Sequence, residues 1–411
     1  MTDVNIRATG ADSRADLSAL KLAELQTLAS SLGLVGATKL RKGDLVNAIE
    51  EHDNDNQGVT DAEFEAPQLQ TWQPPADEAE APVEPAPEPI SEPVAVKKRT
   101  SRRVTSADTE AIAAAVLGLV EPGSEVVLLE PFYDSYSPVV AMAGARRVPV
   151  SLVPDGRGFA LDADALRRAI TPATRALIVN SPHNPTGTVF TESELAEIAR
   201  IAVAADLLVI SDEVYEHLVF SGRTHRPLAA FEGMAERTIT ISSAAKMFNC
   251  TGWKIGWACG PAELLAGVRA AKQYLSYVGG APFQPAVALA LNTEDAWVAA
   301  LRATMQARRD RLTDGLRDIG FEVHDSFGTY FLCADPRPLG YDDCTAFCAE
   351  LPHRAGVAAI PLSAFCVPGS EATAPEVWNH LVRFTFVKRE DTIDEAIRRL
   401  QTLRDGPATA R

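Results

Sequence analysis

Lys246 lies in a stretch whose residue types suit amine chemistry. Ser242 and Ser243 precede it, Ala244 and Ala245 lie directly before it, and Lys254 follows in a Gly-Trp-Lys segment. Apolar surroundings lower the pKa of a lysine, so part of the amine is neutral and can attack an aldehyde. Most lysines are solvated and unreactive, so this interpretation needs support from other residues. We therefore treat Lys246 as a candidate Schiff-base lysine.

Two loops that follow predicted strands carry further polar side chains. Segment 180–187, Asn-Ser-Pro-His-Asn-Pro-Thr-Gly, has prolines and a glycine that fix a rigid loop and can aim the amide of Asn184. Asp212 follows the next predicted strand, where its carboxylate can keep a pyridinium nitrogen protonated, and Tyr215 can hydrogen-bond a phenolic oxygen. On its own, Asp212 would be interpreted as a helix N-cap.

Together these loops indicate one kind of site. Ser243 and Lys254 flank Lys246 with a hydroxyl and an ammonium, which can hold a phosphate. An imine-forming lysine, a pyridinium partner, phenolic-oxygen donors and phosphate donors are the groups that pyridoxal 5'-phosphate requires. Loops after the strands of an open α/β sheet meet at one edge, which would bring these groups together. The sequence therefore predicts a pyridoxal phosphate site, without a metal.

From about residue 109 the sequence alternates between strands and helices. Apolar strands are predicted over 126–129, 146–150, 176–180, 207–211, 238–242 and 255–259, separated mostly by helices such as 192–205. This alternation predicts an α/β fold with a mainly parallel sheet. After Pro282, a long helix over 297–319 and strands over 328–333 and 381–386 predict a smaller α+β domain.

The residues before 109 predict two other kinds of structure. Leucines at helical spacing over 16–52, interrupted by Gly33 and Gly36, predict short amphipathic helices. Segment 53–96 carries prolines from Pro67 to Pro93 among acidic residues and alanines, and it cannot repay its ordering entropy. The basic segment 97–103 is interpreted as a solvated end of this linker rather than a dedicated nucleic-acid patch.

These patterns define four predicted regions. They are a helical module at 1–55, a disordered linker at 56–108, a cofactor-binding large domain at 109–290 and a small domain at 291–408.

Composition narrows the class of protein. The chain has 411 residues, 46% of them hydrophobic, which is enough for a large core in two or more domains. A net charge of -16 argues against binding nucleic acid over the whole length. Since no apolar run has the length of a signal peptide or a membrane span, we expect a cytoplasmic protein that does not enter a membrane. The cysteines lack zinc or CxxC spacing, which predicts reduced thiols.

Residues 109–403 resemble the class I/II aminotransferases, pyridoxal phosphate enzymes of fold type I. Five motifs occur in the family's order: Ser-Pro-His-Asn-Pro-Thr-Gly, Asp-Glu-Val-Tyr, Ser-Ala-Ala-Lys, Gly-Trp-Lys-Ile-Gly and Val-Arg-Phe. They are most similar to the branch of N-succinyldiaminopimelate and kynurenine aminotransferases. The resemblance implies a homodimer that moves an amino group by a ping-pong mechanism between 2-oxoglutarate and an acidic amino acid, such as N-succinyl-LL-2,6-diaminopimelate.

The resemblance also implies roles for residues outside the first three loops. Tyr133 would stack on the cofactor ring, and Thr109 would contact the phosphate. Arg383 would bind the substrate α-carboxylate as a bidentate pair, assisted by Asn180. The family's Gly-Ala-Thr-Glu turn stands here as Ala107-Asp108-Thr109-Glu110, so its glycine is lost, and we expect the charge of Asp108 to weaken phosphate binding. The roles already suggested by the residues are implied again for Lys246, Asp212, Asn184, Tyr215, Ser243 and Lys254.

Residues 1–55 resemble the amino-terminal domain of the transcription terminator Rho, on the Leu-Ala-Glu-Leu of 22–25, the Gly33-Leu34 turn and segment 39–49. Such modules assist nucleic-acid binding, whereas the phosphate loop that a Rho ATPase needs is not present in the sequence.

Two alternatives to an active aminotransferase remain open. One is an impaired aminotransferase body fused to a nucleic-acid module, because the family's amino-terminal arm is not recognisable in 1–108. The other is a pyridoxal phosphate carbon–sulfur β-lyase, because the same carbanion can eliminate.

Overall fold

The computed structural model describes residues 21, 22, 25, 26, 29, 41–47, 49, 104–106, 108–367 and 376–405. The chain divides into two compact units, Met1–Ala95 and Val96–Arg411. In the first unit, the described residues after 21 and after 41 are helical. As the leucine spacing predicts, these helices bury one apolar face, formed by Leu25, Ala29, Leu45, Val46 and Ile49. The predicted linker up to residue 103, with its basic segment, lies outside the described residues.

The second unit is organised by nine strands in its first part. These are β1 (Val104–Ser106), β2 (Glu125–Glu130), β3 (Arg146–Ser151), β4 (Val153–Asp155), β5 (Gly158–Ala160), β6 (Thr174–Asn180), β7 (Leu208–Asp212), β8 (Thr238–Ser243) and β9 (Ile255–Cys259). Seven of them form one sheet in the order β1-β9-β8-β7-β6-β2-β3, and β4 and β5 pair separately. Strands β2, β3, β6, β7 and β8 are parallel, whereas β9 and β1 run antiparallel to their neighbours. The central strands are apolar because helices and loops cover both faces.

Six helices accompany this sheet: α1 (Asp108–Leu119), α2 (Tyr136–Met142), α3 (Ala163–Ala169), α4 (Glu192–Ala204), α5 (Ala244–Met247) and α6 (Ala262–Leu275). Helix α4 begins at a capping box formed by Thr191 and Glu194. Helices α1 and α6 cross where Gly118 faces Gly267, and a Cβ on Gly118 would lie 2.3 Å from the Gly267 carbonyl oxygen. The glycine pair therefore permits a close helix crossing against the sheet.

The carboxyl-terminal part forms a second layer of helices and strands. Its helices are α7 (Gln284–Thr293), α8 (Asp295–Ile319), α9 (Cys344–Ala355) and α10 (Glu390–Leu400). Its strands, β10 (Glu322–Val323), β11 (Phe331–Asp335), β12 (Ile360–Pro361) and β13 (Val382–Thr385), form an antiparallel sheet in the order β10-β11-β13-β12. Short 3-10 helices span Leu228–Ala230 and Thr251–Trp253 in the first part of the unit. In the carboxyl-terminal part they span Arg337–Leu339, Leu362–Phe365, Glu376–His380 and Gln401–Asp405.

The structure agrees with most of the sequence prediction and changes one boundary. The six predicted strands of the large sheet are present within a few residues of their predicted bounds, and the mainly parallel α/β fold is confirmed. Residues 104–106, which the sequence assigned to the linker, instead pair as β1 with residues 255–257 of β9. The open edge of β9 offers unpaired backbone groups to this strand, which is too short to show a periodicity. The division at 290 stays a prediction.

The sequence analysis also made predictions about the cysteines and about membrane-spanning segments. All six cysteines have free thiols. In the part of the chain that the structure describes, no helix is both long enough and apolar enough to cross a membrane.

Candidate active site

The carboxyl ends of β6 and β7 and the chain after β8 open into a cavity of about 350 Å³. Parallel strands bring the loops that follow them to one edge, so residues distant in sequence converge there. Side chains from the small antiparallel sheet complete the wall, among them Arg383 of β13. The residues that the sequence singled out and that line this cavity are Tyr133, Asn180, Asn184, Asp212, Tyr215, Lys246 and Arg383.

Asp212 is the last residue of β7 and lies at the base of the cavity. It is 3% exposed, and its Oδ2 accepts a hydrogen bond from the hydroxyl of Tyr136. The backbone N–H of Val214 points to Oδ1 at 3.4 Å. A buried carboxylate is costly unless it is hydrogen-bonded, and these donors stabilise its charged form. Asp212 is therefore suited to bind a cationic nitrogen in the cavity.

A chain of hydrogen bonds connects Asp212 with Arg383 through two asparagines. The Asn180 amide donates from Nδ2 to the backbone carbonyl of Asp212 at 2.8 Å. Its Oδ1 accepts the backbone N–H of Asn184 at 2.7 Å. Arg383 Nη1 in turn donates to Asn184 Oδ1 at 2.8 Å. Because the Asn184 oxygen accepts from Arg383, its Nδ2 is the atom that can donate to a ligand.

The hydrogen bonds of Asn180 differ from the role expected for it. Asn180 was expected to assist Arg383 at a substrate carboxylate. In the structure both ends of its amide hold protein groups, the Asp212 carbonyl and the Asn184 N–H, and Asn184 is the residue that contacts Arg383. The geometry supports Asn180 as a brace between two strand ends.

Arg383 is held between two aromatic rings. Its guanidinium carbon lies 4.0 Å from the ring centroid of Phe331 and 4.4 Å from that of Phe365. Burial lowers the pKa of Arg383 from its usual value, although an arginine remains charged at any pH at which the protein is folded. Attraction between the cation and the ring faces fixes the plane of the guanidinium. A planar fork of this kind binds a carboxylate with two hydrogen bonds.

Lys246 lies in α5, a helix of four residues that follows β8 directly. Its side chain is half-buried, and its Nζ lies 6.0 Å from the ring centroid of Tyr215. Tyr215 is 3% exposed, and its ring meets that of Tyr330 edge to face with centroids 5.2 Å apart. Lys246 also lines a second cavity of about 210 Å³, so its side chain has space on two sides. The amine is therefore close to the aromatic wall and accessible to a small molecule.

The three predicted phosphate contacts lie outside the wall of the cavity. Ser243 is fully buried at the end of β8, and its Oγ has no hydrogen-bond partner among the described residues. Thr109 lies in the first turn of α1, with Oγ1 at 3.5 Å from the Tyr133 hydroxyl oxygen. Lys254 is exposed. A buried hydroxyl without a partner is unusual and fits a ligand that accepts its hydrogen bond.

The expected charge repulsion at Asp108 is not tested by these contacts. Residue 108 begins α1, but its side chain lies outside the described residues. The amino-terminal N–H groups of a helix of this length attract anions, and this effect acts in the opposite direction.

Several residues that build the site carry no signal in the sequence. Phe331, Phe365 and Tyr330 line the cavity from the small antiparallel sheet and the chain near it, where long-range packing brings them in. Tyr136, which supports Asp212 from outside, was also missed. Tyr136 lies three residues after Tyr133, which places both side chains near the start of α2. This spacing was the only sign in the sequence that Tyr136 could lie near the site.

Comparisons with known proteins agree with this geometry. Residues 91–400 match the family model for aminotransferase class I and II, and residues 16–58 match the amino-terminal domain of the Rho termination factor. The probable N-succinyldiaminopimelate aminotransferase DapC of Mycobacterium tuberculosis is 79% identical over 308 residues, covering 74% of this chain and 78% of that protein. Kynurenine–oxoglutarate transaminase 3 of Mus musculus is 38% identical over 306 residues, covering 69% of this chain and 66% of that protein.

Solved structures give the same result. The N-succinyldiaminopimelate aminotransferase from Mycobacterium tuberculosis superposes with a TM-score of 0.71 at 80% identity, covering 73% of this chain and 77% of that one. The methionine aminotransferase of Escherichia coli superposes with a TM-score of 0.68 at 36% identity, covering 72% of this chain and 76% of that one.

The mainly parallel sheet, the lysine after β8 and the small antiparallel sheet define a transferase of fold type I. The chain belongs to the class I and II aminotransferases, a family of pyridoxal phosphate-dependent enzymes. Both resemblances predicted from the sequence, to this family and to the Rho amino-terminal domain, are confirmed.

Proposed function

We propose that this chain binds pyridoxal phosphate at Lys246 and transfers an amino group between an acidic amino acid and 2-oxoglutarate. The observation that carries the proposal is the convergence of Lys246, Asp212 and Arg383 on one cavity, although they come from different elements. When bound there, the cofactor supplies an electron-accepting ring that can stabilise negative charge on the substrate α-carbon.

The described residues fit that cofactor by chemical type. Asp212 would hold the proton on the ring nitrogen, and Asn184 and Tyr215 would donate to the phenolic oxygen. Tyr133 would stack on the ring, since it lines the same cavity. The buried, unpartnered hydroxyl of Ser243 fits a phosphate oxygen as its acceptor. The remaining phosphate contacts in this proposal are Thr109 and Lys254.

Arg383 and Lys246 divide the work on the substrate. Arg383 binds the α-carboxylate, and the faces of Phe331 and Phe365 shield that ion pair from water. Since Lys246 lines the same cavity as Arg383, a substrate bound by its carboxylate would present its α-hydrogen on the side of the cavity shared with the Lys246 amine. Once its amine is free and neutral, Lys246 would take the proton from the substrate α-carbon and deliver it to the cofactor carbon that carries the transferred nitrogen. The first half-reaction takes the amino group from the amino acid, which leaves as an oxo acid. The same steps in reverse, with 2-oxoglutarate as the acceptor, release glutamate and complete the ping-pong transfer.

The substrate is proposed from the similarity to the mycobacterial enzyme. At 79% identity over 308 residues, the protein named for N-succinyldiaminopimelate suggests N-succinyl-LL-2,6-diaminopimelate for this chain. Arg383 accounts for one carboxylate of such a substrate. The others must meet cations or hydrogen-bond donors elsewhere in the enzyme.

We also propose that the enzyme is a cytoplasmic homodimer. Several large apolar side chains near the end of α6 and on α7 are exposed: Tyr274 at 90%, Tyr277 at 69%, Val278 at 57% and Leu289 at 64%. Apolar patches of this kind on a folded chain mark a surface for another protein. A second copy of the chain is the partner that a closed dimer would supply.

The test of this function is an assay of the purified full chain with pyridoxal phosphate and 2-oxoglutarate. We expect glutamate formation from N-succinyl-LL-2,6-diaminopimelate and much slower formation from the same amino acid without its succinyl group. If no cofactor absorbance stays with the protein after free pyridoxal phosphate has been removed, cofactor binding is contradicted. Pyruvate release from cysteine conjugates, without glutamate formation, would instead favour the β-lyase.

A second function is proposed for the amino-terminal unit, on the single observation that residues 16–58 match the Rho amino-terminal domain. In the described helices the apolar face is buried, while Arg41 and Lys42 are exposed. We expect weak RNA or DNA binding that falls steeply with salt, because lysine and arginine contacts to phosphates release counterions. Binding measured at low salt, in the full chain and in an R41A/K42A variant, tests it. Equal binding by the two would contradict a role for this basic pair.

A further inference from the structure

Tyr136 supports the proposed ring-nitrogen partner from outside the cavity. It is the first residue of α2, it is 2% exposed, and its hydroxyl donates to Asp212 Oδ2. It is not part of the wall of the 350 Å³ cavity. Neither the sequence motifs nor the proposed function gives this tyrosine a role.

We propose that Tyr136 is a positioning residue that fixes the direction and the charge of the Asp212 carboxylate toward the cofactor ring nitrogen. The inference rests on the proposed function, since it concerns how Asp212 meets the cofactor.

The surroundings of Tyr136 hold its hydroxyl in one place. Its ring lies 6.5 Å from that of Phe132 in a stacked arrangement and 5.7 Å from that of Tyr133 edge to face. It also belongs to a buried apolar cluster that includes Ile178 and Ile210 of neighbouring strands. A ring packed on several sides has one rotamer, so its O–H donates in a fixed direction. The hydrogen bond therefore restrains the carboxylate rather than following it.

Asp212 is held from two sides that act on different atoms. The Asn180 amide holds its backbone carbonyl, whereas Tyr136 holds its side-chain oxygen. Since a carboxylate oxygen accepts more than one hydrogen bond, this contact leaves Asp212 able to accept a donor from the cavity. Hydrogen bonds to the ionised form favour that form in a buried site. Without the hydroxyl, a buried carboxylate would lose one of its donors and could rotate.

Tyr136→Phe separates this role from simple packing. The substitution keeps the ring in the apolar cluster and removes only the hydroxyl. If Tyr136 served the core alone, cofactor binding and cofactor spectrum would not change. The contrast makes the spectrum, rather than the activity, the decisive measurement.

The experiment compares wild type, Y136F and D212N as full-length proteins freed of cofactor and titrated with pyridoxal phosphate. We expect Y136F to bind about 10-fold more weakly, the lower end of the range for a hydrogen bond to a charged group, because Tyr136 acts on the cofactor only through Asp212. The pH midpoint of the visible absorbance of the bound cofactor should rise, because a ring nitrogen held less firmly in its protonated form withdraws less charge. D212N should move the midpoint in the same direction and further.

The other ionisable groups around the site are the same in each protein, so they do not cause a difference between variants. Those that line the cavity are Tyr133, Asp134, Tyr215, Lys246, Tyr330 and Arg383.

Y341F is the matched control. Tyr341 is also buried, at 7% exposure, and its hydroxyl has no hydrogen-bond partner among the described residues. It lies in the apolar cluster of the small antiparallel sheet, outside the cavity wall. We expect wild-type affinity and an unchanged pH midpoint for Y341F. A double variant, Y136F/D212N, should match D212N in both measurements, since Tyr136 acts through Asp212.

The outcomes separate this inference from the function on which it rests. A wild-type chain that takes up no cofactor would overturn the proposed function. A wild-type chain that binds the cofactor, with Y136F equal to it in affinity and in pH midpoint, would overturn the role of Tyr136 alone. The role of Tyr136 would also be overturned if Y136F weakened binding as much in the D212N background as in wild type, because Tyr136 would then not act through Asp212.

Discussion

The two ends of the candidate site, which we propose bind the ring with the substrate and the phosphate, are built differently. At the ring and substrate end, Asp212, Asn184 and Arg383 are buried or half-buried and are joined by hydrogen bonds of 2.7–2.8 Å through Asn180. At the phosphate end, Ser243 has a buried hydroxyl without a partner among the described residues, and Lys254 is exposed. The side chains of the first end are held by hydrogen bonds within the protein. Those of the second end include a hydroxyl without a described partner and an exposed ammonium.

The difference follows from how each end is supported. Neighbouring parallel strands set the spacing of the ring end, and hydrogen bonds between their loops fix the side chains. The phosphate end lies where the sheet changes direction, between β8 and antiparallel β9, and beside the first turn of α1. We therefore expect substitutions at the ring end to affect chemistry and stability, and those at the phosphate end to affect cofactor affinity alone.

The largest effect that tests this contrast is expected at Arg383. R383A should lower kcat/KM for amino-acid substrates by about 100-fold to 1000-fold, because truncating one partner of a buried charge pair costs about 2–5 kcal/mol. R383K should recover little, since an ammonium cannot form the bidentate pair. Steady-state kinetics with cofactor saturating measures both. A kcat/KM within a factor of three of wild type for R383A would contradict the substrate role.

The ring end should also show a stability effect that depends on pH. His183 lies in the loop with Asn184, and burial lowers its pKa to about 4 from 6.5. The unfolded chain then binds more protons than the folded one between these pH values, so stability falls as the pH falls from 6.5 toward 4. The loss from this one group should reach ~2–3 kcal/mol near pH 4.5.

The measurement is the free energy of unfolding of wild type and H183Q from pH 7.5 to pH 4.5. H183Q is expected to show a shallower decrease, whatever its stability at neutral pH. Parallel curves would show that His183 is not the group held neutral.

A smaller effect, confined to the cofactor, is expected at the phosphate end. S243A should weaken pyridoxal phosphate binding by about 10-fold to 100-fold, the range for a hydrogen bond to a charged group. The cofactor-free protein should be at least as stable as wild type, because a buried hydroxyl without a partner is removed. Cofactor titration and thermal unfolding without cofactor check the two parts. A clear loss of stability in the cofactor-free S243A protein would place a hidden structural contact at this hydroxyl.

The smallest effect is expected at Lys254. Because it is exposed, its attraction to a phosphate is screened by water and salt. K254Q should weaken cofactor binding by only about 2-fold to 5-fold at low salt, and the difference from wild type should shrink as salt is added. A large loss that is insensitive to salt would show that Lys254 becomes buried in the bound state. Such a result would reduce the contrast between the two ends.

The sequence predicted those parts of the fold and site that depend on local pattern. Apolar runs bounded by turn residues predicted the strands of the large sheet. Asp212 and Asn184, which line the cavity, were singled out because each follows such a predicted strand. Lys246 was found by its setting after β8. Packing over long sequence distances left no such trace, which explains why Tyr136 and Phe365 were missed.

The strand at the edge of the large sheet could not be predicted from the sequence pattern either. Strand β1 has three residues, and its pairing depends on the open edge of β9, which lies far along the chain. The same limit applies to Asn180, for which the family resemblance implied a contact with the substrate carboxylate. Its hydrogen bonds depend on the distance between the ends of β6 and β7, which cannot be derived from the sequence.

The most direct test of the account is the position of the covalent bond to the cofactor. Wild-type protein is incubated with pyridoxal phosphate, reduced with borohydride and digested, and the modified peptide is located by mass spectrometry. We expect stable labelling at Lys246 and its loss in K246A, with Lys254 unlabelled in both proteins. Labelling of K246A at the wild-type level, or a wild-type label on another lysine, would contradict the assignment of Lys246.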